Sequence, residues 1–88
     1  MEVQEEILDN PVYFILNLCR VLAYLEEDLV LSKKLGGEWG LERTSNVYHD
    51  ILRNALKAYQ SDAKFILDMD TIKNAQDFAE YILKRINP

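Results

Sequence analysis

Residues 11–27 read Pro-Val-Tyr-Phe-Ile-Leu-Asn-Leu-Cys-Arg-Val-Leu-Ala-Tyr-Leu-Glu-Glu, and this stretch decides the fold. Pro11 suits the first helical position, where its missing N–H costs nothing, and Asp9 or Asn10 can serve as N-cap. Ile15, Leu18, Leu22 and Leu25 step by 3, 4 and 3, the spacing of one helix face. Phe14, Val21 and Leu25 widen that face until the helix is apolar over most of its girth. A helix of this kind is covered on more than one side, so it is predicted to be the central one. Arg20 is the only charge between Asp9 and Glu26. An unpaired guanidinium among aliphatic neighbours must meet a carboxylate, a cleft or an anionic ligand.

Outward from this helix, Ser32 can cap a second, short helix that begins Lys33-Lys34-Leu35. Gly36 and Gly37 weaken it by ~1 kcal/mol each relative to alanine. A third helix is predicted over residues 46–60, with Tyr48, Leu52, Ala55 and Tyr59 on one face. His49, Asp50, Arg53, Asn54 and Lys57 lie opposite, where a lone histidine is expected to be solvated. The last helix starts near Asp68 or Asp70 and runs to about residue 86. Ile72, Ala75, Ala79, Ile82 and Ile86 form its seam, and Lys73, Asp77, Glu80 and Lys84 a solvated, self-paired face. No segment alternates with period two over a useful length. The 88 residues therefore read as a single all-α domain, a small bundle of four to five helices.

Composition narrows the function. A hydrophobic share of 49% is that of a folded globule, and 88 residues make one small domain with little room for a complete catalytic apparatus. A net charge of −5 argues against nucleic acid or an anionic membrane as partner. One cysteine excludes an internal disulfide framework and a cysteine-based zinc site. The run from Asn10 to Leu25 is too short and too interrupted for a membrane span, and the N-terminus is acidic where a signal peptide is basic. The expected setting is cytoplasmic.

Several groups are candidates for chemistry. A structural ion pair to an acid on a neighbouring helix accounts for Arg20 as simply as a ligand does. Lys33 and Lys34 oppose the dipole of the helix they open, yet the same geometry suits an anion; lysines pointing into water explain them equally. Gly36-Gly37-Glu38-Trp39-Gly40 is no phosphate loop, because the lysines precede the glycines and no strand leads in; Trp39 is expected in the core. Asp68-Met69-Asp70 has the spacing of an Mg²⁺-binding pair, but without a Gly-Ser turn these acids read as the cap and first turn of the last helix. Cys19 reads as a small buried hydrophobe. Arg43 and His49 loosely resemble the Arg…His element of helical HEPN-type ribonucleases, though the acidic charge offers no RNA face.

Three stretches together carry a more specific likeness. They are Asn10-Pro11-Val12-Tyr13 with Leu16-Asn17-Leu18-Cys19-Arg20, then Leu31-Ser32-Lys33-Lys34 with Gly37-Glu38-Trp39-Gly40-Leu41, and Tyr48-His49 through Ala58-Tyr59. In order and spacing, across residues 9–86, they resemble the C-terminal helical domain of the aminoglycoside adenylyltransferases that act on streptomycin and spectinomycin. In that family an N-terminal nucleotidyltransferase domain carries the Gly-Ser turn, the Mg²⁺-binding acids and the catalytic base. The resemblance therefore implies no catalytic residue and no metal ligand in this chain. It implies instead that ATP with Mg²⁺ and the antibiotic bind between the two domains. By position, Arg20, Lys33 and Tyr59 match residues that reach the ATP phosphates, and two cations with a phenol donor suit that task. Asn10 and Tyr13 match aminoglycoside-contacting positions, often an acid and a histidine; here a neutral Asn holds a polycation less strongly than a carboxylate does.

The implied protein is a domain that closes on ATP and substrate and is expected to be inactive alone, as a fragment, a truncated gene product or one half of a split protein. Its partner is a nucleotidyltransferase domain in cis or in trans. The alternative is a stand-alone helical interaction module that self-associates through the face left open.

Overall fold

The computed structural model describes residues 10–61 and 63–87. Helix α1, Pro11–Glu27, runs through the middle and packs against each of the other helices: α2, Lys33–Arg43; α3, His49–Ser61; and α4, Met69–Ile86. A 3₁₀ turn, Asn46–Tyr48, leads into α3. Among the described residues there is no strand, and the architecture is the small all-α bundle expected.

Local signals set the helix ends. Ser32 Oγ accepts from the Leu35 N–H at 3.2 Å, and Asp68 Oδ1 accepts from the Thr71 N–H at 2.8 Å, so both expected caps form. Asn10 occupies the N-cap position of α1, but its side chain makes no capping hydrogen bond; Asp9 lies outside the described residues. Asp28 ends α1 in the left-handed conformation (φ 57°), and the Leu29 N–H then donates to the Ala23 carbonyl at 3.3 Å.

The buried face of α1 is Ile15, Leu16, Cys19, Leu22 and Ala23. This face is narrower than the expected one, which included Val21 and Leu25. Val21 is 46% and Leu25 55% exposed, because α2, α3 and α4 all approach from the other side. Among the described residues, the connector at residues 28–32 borders that strip through Leu29, Val30 and Leu31.

The glycines of α2 have a packing role beyond their propensity cost. A Cβ at Gly36 would lie 2.6 Å from Arg20 Cγ, one at Gly37 2.5 Å from Leu56 Cδ2, and one at Gly40 2.7 Å from Cys19 Sγ. The backbone of α2 thus rests directly on α1 and α3, at separations no side chain permits. Trp39 closes the same layer, buried as expected, and its Nε1–H donates to Glu27 Oε1 at 3.2 Å.

The α3 face carries buried Leu52 and Ala55 as predicted, with Ile51 and Leu56 added, while Tyr59 stays 40% exposed. His49 departs from expectation: it is half-buried, and its Nε2 is enclosed without a hydrogen-bond partner among the described residues. On α4, Ala75, Ala79 and Ile82 are buried in the predicted seam, but the largest fully buried side chain is Phe78, which that seam omitted. Lys73, Asp77, Glu80 and Lys84 are exposed, as expected, yet none forms an ion pair among the described residues. Solvated pairs of this kind gain only a few tenths of a kcal/mol, too little to fix long side chains.

Arg85 provides the tertiary link instead. Its Nε and Nη2 donate to both oxygens of Glu26, and its Nη1 donates to the Arg43 carbonyl at 2.7 Å and to the Tyr81 hydroxyl at 3.0 Å. The C-terminal ends of α1, α2 and α4 are joined at this one guanidinium. Among the described residues, no helix is long and apolar enough to cross a membrane.

Candidate functional site

Among the described residues, Arg20 is held at the edge of α1 without a countercharge. Its Nε–H donates to the Leu31 carbonyl at 2.7 Å and its Nη1–H to Asn17 Oδ1 at 3.1 Å. Among the described residues Arg43 pairs with Glu27, Arg53 with Asp50 and Arg85 with Glu26, so Arg20 is the one arginine without a carboxylate. Among the described residues, the structural ion pair that would have explained it on composition does not form. Its guanidinium borders a shallow apolar groove formed with Asn17, Val21, Tyr24, Leu25 and residues 29–31.

Lys33, the first residue of α2, places its ammonium 5.1 Å from the centre of the Tyr13 ring. Among the described residues the cation rests on an aromatic face rather than on an acid, and a ring quadrupole does not cancel its charge. The Tyr13 ring in turn meets Tyr59 edge-on, centroids 5.9 Å apart at 71°. Tyr13 and Tyr59, with Asn10, line one open depression of about 430 Å³, completed by Val12, Ala58, Ala63 and Phe65. Residues from the start of α1 and the end of α3 thus converge on one spot, with Lys33 at its edge.

Arg20 does not line that depression. It stands seven residues beyond Tyr13 on α1, about 10 Å along the axis at ~1.5 Å per residue. Tyr13, Asn17 and Arg20, at i, i+4 and i+7, follow one stripe of the helix. The five residues singled out from the sequence therefore form one polar strip, with Arg20 at one end and the Asn10–Tyr13–Tyr59 depression at the other. Asn17 is the member that sequence reasoning missed. Its signal was visible: it is the only other polar interruption of an apolar helix, three residues before the lone charge.

The remaining candidates resolve into structural roles. Thr71 stabilises the ionised Asp68 carboxylate by hydrogen bonding, which holds Asp68 below the ordinary aspartate value and fits its place as a cap. Burial pushes the Cys19 thiol up to about 12, far from nucleophilic use. Burial, followed by the charge of Asp77, raises the Tyr48 phenol, whose ring packs edge-on against Phe78 at 5.3 Å. Arg43 lies 3.6 Å from Glu27 and His49 is half-buried, so they do not offer an open Arg–His pair.

These features define an all-α domain that presents cations and phenols along one exposed face, with its buried residues devoted to packing. The chain matches the family model described as aminoglycoside adenylyltransferase, C-terminal domain, over residues 1–85, and it belongs to that family. No curated protein and no solved structure matches it.

Proposed function

We propose that this domain closes on ATP and a hydroxyl-bearing aminoglycoside, with a nucleotidyltransferase domain supplied in cis or in trans as the opposite wall. The observation that carries the reading is a pair of cations that meet no carboxylate among the described residues, Arg20 on a carbonyl and an amide and Lys33 on the Tyr13 ring. A triphosphate needs donors whose charge is not already spent, and a guanidinium and an ammonium on one strip meet that need.

In this reading Arg20 and Lys33 bind and orient the phosphates, and the Tyr59 hydroxyl donates a further hydrogen bond. Bound ATP with Mg²⁺ supplies the activated adenylyl group; the metal ligands and the base belong to the partner domain. The 88 residues by themselves transfer no AMP. Asn10 and Tyr13 face the acceptor, and the neutral Asn10 side chain holds a polycation less firmly than a carboxylate at that point would. The apolar groove beside Arg20, with Val21, Tyr24 and Leu25, is the surface offered to the nucleotidyltransferase domain. An ATP-dependent role fits the cytoplasm.

An NMR titration of the chain with Mg-ATP tests the assignment. Amides around Arg20, Lys33 and Tyr59 are expected to shift, weakly and less at higher salt. An identical response from wild type and Lys33→Ala, or none from either, would remove the site. The same exposed apolar strip favours a second reading, a self-associating interaction module. Sedimentation separates the two: a tight dimer that buries the Arg20 side supports the module, and a monomer supports a partner in trans.

A further inference from the structure

Three elements converge on the Arg20 side chain. Asn17, one turn earlier on α1, accepts from Nη1, and the carbonyl of Leu31 in the connector accepts from Nε. Gly36 of α2 lies against the aliphatic stem, where a Cβ would sit 2.6 Å from Arg20 Cγ. Arginine is otherwise a long, freely rotating side chain, and each of these contacts removes some of that freedom before any ligand arrives. Among the described residues, two of the five N–H groups of the guanidinium are used, which leaves three for a ligand.

We infer that Asn17 is a positioning residue, acting on a bound phosphate only through Arg20, whose guanidinium it fixes in one orientation. The inference rests on the reading of Arg20 as a phosphate-binding residue. The chemistry of the amide is suited to it. An aspartate at residue 17 would orient the guanidinium equally well but cancel its charge, whereas the neutral Asn17 oxygen orients it and leaves the charge for the ligand. Donors held in place in this way need no reorganisation on binding. Asn17 is itself exposed, so replacing it leaves the core untouched.

The test is calorimetric titration of the 88-residue chain with inorganic tripolyphosphate at low salt, joined to NMR of the Arg20 side chain. Asn17→Ala is expected to weaken binding about five-fold, the value of one lost hydrogen bond. It should also merge the guanidinium Nη resonances, which restricted rotation keeps separate in the wild type. Asn17→Asp should keep those resonances separate yet bind more weakly than Asn17→Ala. In an Arg20→Lys background, which keeps the charge and the packed stem, Asn17→Ala should change affinity by less than about two-fold.

Wild-type affinity in Asn17→Ala, with Arg20→Ala losing binding, would overturn the positioning role alone. So would an undiminished Asn17→Ala effect in the Arg20→Lys background, because Asn17 would then touch the phosphate itself. Binding that is absent in the wild type, or indifferent to Arg20→Ala, would overturn the phosphate reading of Arg20 and this inference with it.

Discussion

Substituting Gly37 by alanine sets two effects of known size against each other. In an isolated helix the change is favourable by ~1 kcal/mol, since glycine is the poorest helix former after proline. In this fold the new Cβ would stand 2.5 Å from Leu56 Cδ2, 2.7 Å from Leu16 Cδ2 and 2.9 Å from Leu56 Cγ. Carbon atoms in contact prefer roughly 3.5–4.0 Å, so three atoms must retreat by about 1 Å. Leu16 is fully buried and Leu56 only 8% exposed, so neither has open space to move into. One of the three atoms is the branch point of Leu56, which a turn of the terminal methyls does not displace. Overpacking of this kind costs roughly 1–3 kcal/mol, and the position calls for the upper end. The expected outcome for Gly37→Ala is a net loss of ~1–2 kcal/mol. For a domain of this length that lowers Tm by about 4–16 °C. Urea denaturation followed by far-UV circular dichroism measures it through the midpoint, with the m value unchanged. A variant as stable as the wild type, or more so, would refute the close approach of α2 to α1 and α3.

Arg85→Ala should destabilise the fold by ~1–2 kcal/mol by urea denaturation, since one side chain holds Glu26, Tyr81 and the Arg43 carbonyl together; a loss under ~0.3 kcal/mol would mean the link is too solvated to matter. Asp68→Ala should fray the start of α4, read as faster amide exchange at Thr71 and Ile72. Because the Asp68 carboxyl is depressed in the folded state, its contribution is fully present above the ordinary aspartate value and is lost as pH falls through the lowered one. Thermal melts of wild type and Asp68→Ala should therefore converge at strongly acidic pH and separate towards neutrality. Cys19, with its thiol pushed up to about 12 and no exposed surface, should react with iodoacetamide at neutral pH only as fast as the domain opens; rapid labelling of the native chain would contradict its burial.

What could be read along the chain was local. Ser32 and Asp68 reveal their helices because a cap needs only a side chain and an N–H three residues on. Arg20 stood out because a lone charge in an apolar run is visible without any structure. The departures have tertiary causes. Gly36, Gly37 and Gly40 look like weaknesses along the helix, and only the atoms of Arg20, Leu56 and Cys19 across from them show why no side chain fits. Phe78 escaped the predicted seam because an aromatic one position from a stripe of alanines and isoleucines can point either way; the rings of Tyr48 and Tyr81 sit beside it in the fold. Leu25 and Val21 have the hydrophobicity of core residues and are left outside because all three partner helices approach from one side.

The all-α class and the candidates Arg20 and Lys33 were thus legible in the sequence, through spacing, capping and the cost of an isolated charge, while Asn10, Tyr13 and Tyr59 were singled out by the family resemblance. What Arg20 and Lys33 meet among the described residues was decided by the fold. Arg20 could have met an acid on any neighbouring helix, and Lys33 could have pointed into water. Instead the connector turns the Leu31 carbonyl onto Arg20, beside Asn17 of its own helix, and the packing of α2 on α1 sets Lys33 over the Tyr13 ring. Neither contact neutralises a cation, because a dipole or a quadrupole orients a charge without cancelling it.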